Sequence, residues 1–259
     1  MWVNIVKETT GEYSIMIYIK NFLDDKELEE CNLWLNDKYE KGLFHNAMNN
    51  IRSNENCCGL KLKEKDLIRS TVRKQLWFQK DKQYFCKIWK ERYKRWESEE
   101  YDDFIIKLQK IISLRLQEYN RINKWTLNLD EIKKDNNLEK IDNEFNFNSC
   151  LLNLYETGNE GISPHRDSIY SFGLYPTVVG LSIGETRVMR IKRIYYNENN
   201  ISSLKQDNKK CGLSMDIPLE NNSVFIMMGC SQKYYTHEII KDKNIKNKRF
   251  SFTFRKWVG

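Results

Sequence analysis

No run of apolar residues in this 259-residue sequence approaches the length of a membrane span. Its first residues, MWVNIVKETTGEYS, lack the basic segment and apolar core of a secretion signal. The seven cysteines (Cys31, Cys57, Cys58, Cys86, Cys150, Cys211, Cys230) are odd in number and contain no CxxC spacing, which argues against a disulfide framework and against a zinc site. There is no internal repeat, and histidine is confined to His45, His165 and His237. These absences predict a soluble, unsecreted protein with reduced thiols, working inside the cell in the cytoplasm or nucleus and not on a membrane; a monomer is expected, though none of these features derives it.

What is present can build a core. Hydrophobic residues make up 40% and aromatics 13%, enough for a globular fold despite a mean hydropathy of −0.71. Forty-three Lys and Arg against 36 Asp and Glu give a formal charge of +7. That excess tilts the partner toward nucleic acid, although much of it lies in Lys- and Asn-rich loops that suit an ordinary solvated surface.

The pattern divides near residue 145, within what is expected to be one domain over 1–259. In the first part, SIMIYI (14–19) reads as a buried strand. NFLDDKELEECNLWL then opens a helix with Asp24 as N-cap and Glu27 as its capping-box partner. Phe22, Leu23, Leu28, Leu33 and Leu35 are its expected apolar contacts. After a looser stretch, RSTVRKQLWF (69–78) alternates like a strand. Between 84 and 118 the period becomes helical, with Phe85, Trp89 and Trp96 on one stripe and Phe104, Leu108, Ile111 and Ile112 on another. The segment 130–144 is charged and fits a surface insertion.

From Phe145 the chain reads as strand after strand: NSCLLNLYE, a turn through Gly158 and Gly161, PTVVGLSIG, TRVMRIKRIYY, LSMDIPL, SVFIMMG, YYTHEII and RFSFTFRKWV. Asn221-Asn222 marks a tight hairpin, and 197–212 a polar loop. The expected fold class is α+β, mainly β. Residues 145–259 would form a double-stranded β-helix (jelly-roll) core, and 1–144 would supply lid strands, helices and the insertion.

Two constellations carry chemistry. His165 and Asp167 stand two apart in PHRDS, a spacing that on a strand aims both to one side. His237, from a distant strand, would complete a face of two imidazoles and one carboxylate with open coordination positions, the donor set of non-haem iron oxygenases. An isolated HxD is a weak signal, and His45 has no such context and reads as structural. The second constellation is the last strand, whose alternation puts Arg249, Ser251, Thr253 and Arg255 on one face and three phenylalanines on the other. The polar face either meets solvent or lines the interior. In the interior its guanidinium groups would require a negative partner, such as a dicarboxylate held through their planar forks. The arginines are about 20 Å apart along an extended strand, so twist and side-chain reach would have to bring both to one small molecule. Asn153 and Tyr155, again two apart, would add an amide and a phenol to the same pocket.

Assembled in this order, LLNLYETGNEGISPHRDS, VVGLSIGETRVMRI, PLENNSVFIMMG, YYTHEI and RFSFTFRKW resemble the AlkB family of 2-oxoglutarate oxygenases over about Phe145 to Val258. The resemblance implies Fe(II) held by His165, Asp167 and His237. It implies the distal carboxylate of 2-oxoglutarate on Arg249 with Tyr155, the carboxylate nearer the metal on Arg255 with Asn153, and Ser251 on the same co-substrate wall. The implied reaction consumes O2 and 2-oxoglutarate, releases succinate and carbon dioxide, and hydroxylates a C–H bond. An N-methyl group so hydroxylated is lost as formaldehyde. Ser168-Ile169 and Ser251 depart from nucleic-acid repair members, which often carry acidic residues and Asn there. They look more like the branch that includes tRNA wobble-uridine hydroxylases and some protein-directed members. RSTVRKQLWF is similar to the family's substrate lid. Trp77 or Phe78 would stack on an extruded base, and Arg69, Arg73 and Lys74 would meet phosphates. A strand with buried aromatics and exposed cations is the equally available plain reading. The substrate implied is a modified base in DNA or RNA. A protein side chain such as methyl-lysine is the alternative, and a catalytically silent binding module the third reading.

Overall fold

The computed structural model describes residues 1–46, 73–82, 98–125, 145–194 and 213–258. The expectations placed on Arg69, Phe85, Trp89, Trp96, Cys57, Cys58, Cys86, Cys211, the segment 130–144 and the loop 197–212 lie outside the described residues.

Twelve strands and two long helices dominate the described residues. The strands are β1 (Trp2–Lys7), β2 (Tyr13–Lys20), β3 (His45–Asn46), β4 (Lys74–Gln79), β5 (Ser149–Tyr155), β6 (Ile162–His165), β7 (Val178–Gly184), β8 (Arg187–Arg193), β9 (Ser214–Leu219), β10 (Ser223–Gly229), β11 (Tyr235–Ile239) and β12 (Arg249–Arg255). The helices are α1 (Asp25–Glu40) and α2 (Asp103–Asn123). The strands form an eight-stranded sheet ordered β1-β2-β10-β7-β12-β5-β4-β3 and a four-stranded sheet ordered β6-β11-β8-β9, with antiparallel pairing in both. The result is a mixed α+β fold of two antiparallel sheets. The early strands are woven into the sheet built by the later ones: β2 lies between β1 and β10, and β4 pairs with β5.

Two apolar cores follow from strand alternation. Side chains on one face of the large sheet, including Ile15, Ile17, Leu152, Phe252 and Phe254, pack under the helices. The opposite face meets the small sheet through Met16, Phe225, Met227, Ile191 and Ile217. The capping box of α1 forms as the sequence predicts: the Glu27 amide donates to Asp24 Oδ1 at 2.9 Å and the Asp24 amide to Glu27 Oε2 at 2.9 Å. Helix α1 buries Cys31 and Leu35, but Leu33 is 65% exposed, so the expected contact at Leu33 is corrected. Helix α2 starts at an Asp102 cap and buries Ile105, Leu108, Ile112 and Leu116, one turn apart on a single face. The expected stripe is therefore rotated: Phe104 and Ile111 flank the buried line and are only partly covered.

Three local expectations change. Strand β1, unassigned from sequence, is an edge strand with Trp2, Val3 and Ile5 exposed. The Asn221-Asn222 turn is not a hairpin within one sheet, because β9 and β10 belong to different sheets and the turn carries the chain across. Asn222 suits that turn: its φ is +54°, and its amide exchanges two 2.8 Å hydrogen bonds with the Leu23 backbone. The Gly158 turn is also a contact. A Cβ there would lie 1.6 Å from the Asp242 carbonyl oxygen, and the backbones of Gly158, Asp242 and Ile245 are hydrogen-bonded to one another.

Candidate metal centre and co-substrate wall

Strand β6 ends at His165, and the register sets His237 of β11 directly opposite, with ring centroids 4.2 Å apart. Asp167 does not lie on that strand. The two-residue spacing brings it to the same place by another route, two residues beyond the strand end. There its amide donates to Gln232 Oε1 at 2.8 Å, and its carboxylate accepts the fork of Arg255, Nε at 2.6 Å and Nη2 at 3.2 Å. Ligand atoms of His165, Asp167 and His237 lie within 4.8 Å of one another.

The electrostatics suit a metal. Burial would raise the Asp167 pKa, but the Arg255 guanidinium and the nearby imidazoles outweigh it and hold the carboxyl at about 2. Burial first, then His165 and Arg255, pushes His237 down to about 3, and burial likewise lowers His165. At neutral pH the trio is therefore one carboxylate and two neutral imidazoles, all with lone pairs to give. His165 Nδ1 lies 2.9 Å from the Ser163 carbonyl, which can only accept, so the proton sits on Nδ1 and Nε2 is left for a cation. Two nitrogens and one oxygen on one face fit iron(II) with open coordination positions.

The polar face of β12 turns inward, as one of the two sequence readings required, while Phe250, Phe252 and Phe254 enter the helix-side core. Register sets Arg249 opposite Tyr155 on β5 and Gly184 on β7, and Ser251 opposite Asn153 and Ser182. Arg249 is 2% exposed. Its Nη2 donates to Ser182 Oγ at 2.9 Å and Ser251 Oγ at 3.3 Å, and its guanidinium lies 5.1 Å from the Tyr155 ring centre. Nε and Nη1 are buried with no hydrogen-bond partner. A buried cation with two unsatisfied donors fits a carboxylate, which brings charge and two acceptors together. Arg255 sits at the other end of the strand and pairs with Asp167.

Both ends line one cavity of about 280 Å³ with Arg73, Asn153, Tyr155, Arg166, Ser251 and the three candidate ligands on its wall. Among the expected substrate residues that are described, Arg73 is on that wall, and its Nε donates to Asn153 Oδ1 at 2.9 Å. Trp77 is buried on the same sheet face, with Nε1 3.2 Å from Ser149 Oγ. Phe78 points to the other face and packs 5.9 Å from the Trp34 ring, so the structure places it in the helix-side core and not at the cavity. His45 lies on the short edge strand β3, its Nδ1 3.3 Å from the Leu43 carbonyl.

Sequence reading missed three supporting residues. Gln232 holds the Asp167 backbone from a helical turn with no periodic signal. Gln75 donates to Asn153 Oδ1 at 2.8 Å. Arg187, 1% exposed, donates to the carbonyls of Thr157, Glu160 and Ile240 at 3.1, 2.5 and 2.8 Å, with its guanidinium 5.4 Å from the Tyr155 ring centre. The alternation of TRVMRIKR, which puts Arg187 with Ile191 on the buried face, was the available signal.

A family model described as the 2OG-Fe(II) oxygenase superfamily matches residues 16–255. The alpha-ketoglutarate-dependent dioxygenase alkB homolog 3 of Bos taurus and that of Homo sapiens are each 30% identical over 109 residues, 42% of this chain and 36% of theirs. The chain thus matches little more than a third of the length of these curated relatives. The solved structure of OsALKBH1 covers 93% of this chain and 97% of its own at a TM-score of 0.50 and 16% identity, a likeness of fold.

Proposed function

The chain belongs to the 2OG-Fe(II) oxygenase superfamily, and from that premise we propose that it is an Fe(II)- and 2-oxoglutarate-dependent dioxygenase that hydroxylates or demethylates modified bases in DNA or RNA. In this reading residues 1–259 are one domain, and the two sheets are the halves of a double-stranded β-helix with the site between them.

The observation that carries the reaction type is the pairing, in one cavity, of a His-Asp-His donor trio with a buried arginine whose Nε and Nη1 lack partners. His165, Asp167 and His237 would hold the iron. Bound together, iron(II), 2-oxoglutarate and O2 supply the oxidation of a substrate C–H bond, with succinate and carbon dioxide as by-products. The protein does the rest. Arg249, with Tyr155 beside it and Ser182 and Ser251 bracing Nη2, seats the distal carboxylate. Arg255, with Asn153, would take the carboxylate nearer the metal, and Arg255 also pairs with the Asp167 carboxylate and keeps it ionised. Apolar side chains from both sheets, Val178, Met189, Phe225 and Met227 among them, line the same cavity and exclude water from the reacting atoms.

Two observations support a nucleic-acid substrate. The partial match is to enzymes named alkB homolog 3. The described cavity wall also carries Arg73 and Arg166 beyond the two arginines already assigned, against Asp167 as its one carboxylate. That wall suits a polyanion and opposes the ammonium of a methyl-lysine.

The test is incubation with iron(II), ascorbate, 2-oxoglutarate and, in parallel, methylated oligonucleotides, tRNA and methylated peptides, following succinate, formaldehyde and product mass. Turnover on a nucleic acid that disappears in Asp167→Ala is expected. Turnover on peptides alone would move the substrate to protein, and no 2-oxoglutarate decarboxylation at all would leave a silent binding module.

A further inference from the structure

Asn153 faces the cavity with an amide whose oxygen and nitrogen offer opposite chemistry, so its orientation decides what it can do for a carboxylate. The amides of Asn153 and Gln75 stand opposite each other across the β4–β5 ladder and are 3% exposed each. Taken as a pair they are degenerate, because either could donate to the other. Arg73 breaks the degeneracy. A guanidinium has only donors, and its Nε reaches the same Asn153 atom at 2.9 Å, so that atom must be the oxygen. Gln75 must then present Nε2, which it does at 2.8 Å. Two donors converge on Oδ1, which leaves Nδ2 as the donor the amide can offer elsewhere.

This arrangement leaves a cost in Gln75 itself: its Oε1 is buried and has no hydrogen-bond partner. Trp77, two residues on and on the same face of β4, is buried, so that face accommodates a large, mostly apolar side chain. The unpartnered Gln75 oxygen gains nothing from packing, whereas its nitrogen makes a specific bond to Asn153.

We propose that Gln75 and Arg73 are positioning residues for the co-substrate, a two-donor clamp that fixes the Asn153 amide so that Nδ2 donates to the 2-oxoglutarate carboxylate nearer the metal. The proposal rests on the dioxygenase reading above. It also ties the strand expected to meet substrate to the co-substrate seat, since Arg73 stands on the cavity wall and holds Asn153 at once.

The experiment is calorimetric titration of 2-oxoglutarate into protein loaded with manganese(II), which does not turn over, together with thermal denaturation of the metal-free forms. Gln75→Leu should raise the Kd for 2-oxoglutarate by about fivefold or more, equivalent to loss of part of one charge-assisted hydrogen bond, with the melting temperature unchanged or higher. Asn153→Asp keeps an acceptor for both clamp donors but gives no N–H, and should raise Kd further. Adding Gln75→Leu to Asn153→Asp should then change Kd no more, because no amide remains to be oriented. Unchanged binding in Gln75→Leu, or losses that simply add in the double variant, would overturn the clamp while leaving the dioxygenase reading in place. Wild-type protein that does not bind 2-oxoglutarate would overturn both.

Discussion

Replacing Arg249 by methionine should make the free protein more stable and the co-substrate complex less so. The first half follows from burial. Arg249 is 2% exposed and carries two N–H-bearing nitrogens without acceptors. Each buried unsatisfied donor costs roughly 1–3 kcal/mol, and exchanging buried charge for an apolar side chain of similar volume is commonly neutral or stabilising by about 1–4 kcal/mol. For a chain of this size each kcal/mol moves the melting temperature by about 2–4 °C. The second half follows from the seat. Two charge-assisted hydrogen bonds at about 1.5–3 kcal/mol each amount to roughly 3–6 kcal/mol, a loss of about 10²- to 10⁴-fold in affinity. At a hundred times Kd, 2-oxoglutarate should stabilise wild-type protein by about 2.7 kcal/mol and the variant hardly at all. The melting curves should therefore exchange order: Arg249→Met melts higher in buffer, wild type melts higher in saturating 2-oxoglutarate with manganese(II). A variant that is less stable in buffer yet binds 2-oxoglutarate normally would refute the assignment of those N–H groups to a carboxylate.

The other expectations concern the surrounding structure. Asp167→Ala removes the acceptor of a buried Arg255 fork, so besides losing decarboxylation it should cost the metal-free protein about 3–5 kcal/mol in chemical denaturation. Asp167→Ala as stable as wild type would show that the pair contributes nothing to folding. Glu12 sits near the Ser231–Tyr234 turn, where burial would raise its pKa but donors from Lys233, Thr10, Tyr175 and Tyr234 bring it to about 2. Its stabilising contribution is present above the ordinary glutamate range and is lost as pH falls toward 2. The stability gap between wild type and Glu12→Gln should accordingly be widest at neutral pH and shrink below about pH 4.5; a gap that grows on acidification has the wrong sign. Gly158→Ala forces a methyl to within 1.6 Å of the Asp242 carbonyl oxygen and must open the turn that the Gly158, Asp242 and Ile245 backbones close. A sharp fall in melting temperature or soluble yield is expected, and an unaffected melting curve would contradict the close approach.

The sequence was informative wherever period and chemistry agreed. The alternation of RFSFTFR gives both faces of β12, and the Asp24/Glu27 capping box gives the start of α1, because each is set by neighbours within a few residues. Legibility failed where the deciding partner was far away in the chain. Leu33 looks like a core residue by type, yet only the placement of α1 on the sheet decides which of its faces is covered. Asn221-Asn222 has the composition of a hairpin, but whether the next strand returns to the same sheet depends on β2 and β7 having taken β10. Strand β1 lacks alternation because, at a sheet edge, neither of its faces is fully covered. The donor trio was legible for a reason that proved partly wrong: His165 and Asp167 do share a site, but the strand ends between them, and Gln232 and Arg255 do the aiming.

The space between the two sheets explains why the supporting residues were hardest to see. Its one half is apolar, where Met16 and Tyr18 of β2 and Phe225 and Met227 of β10 meet Ile191, Ile217 and Leu219 of the small sheet. That half is apolar, as the continuous apolar runs SIMIYI and SVFIMMG lead one to expect of buried strands. In the other half, β12, β5 and β4 turn a polar strip inward, with Arg249 beside Tyr155, Ser251 beside Asn153 and Gln75, and Arg255 beside Ser149 and Gln79. By composition alone such a strip reads as solvent-facing, and it can be interior only if its unsatisfied groups meet a ligand or one another. The unpartnered atoms of Arg249, Gln75 and Gln79 all lie on it. The apolar half must therefore hold the sheets together well enough to keep open a half that is costly by itself. The cost falls on the wall where a dicarboxylate, by supplying acceptors, would reduce it most.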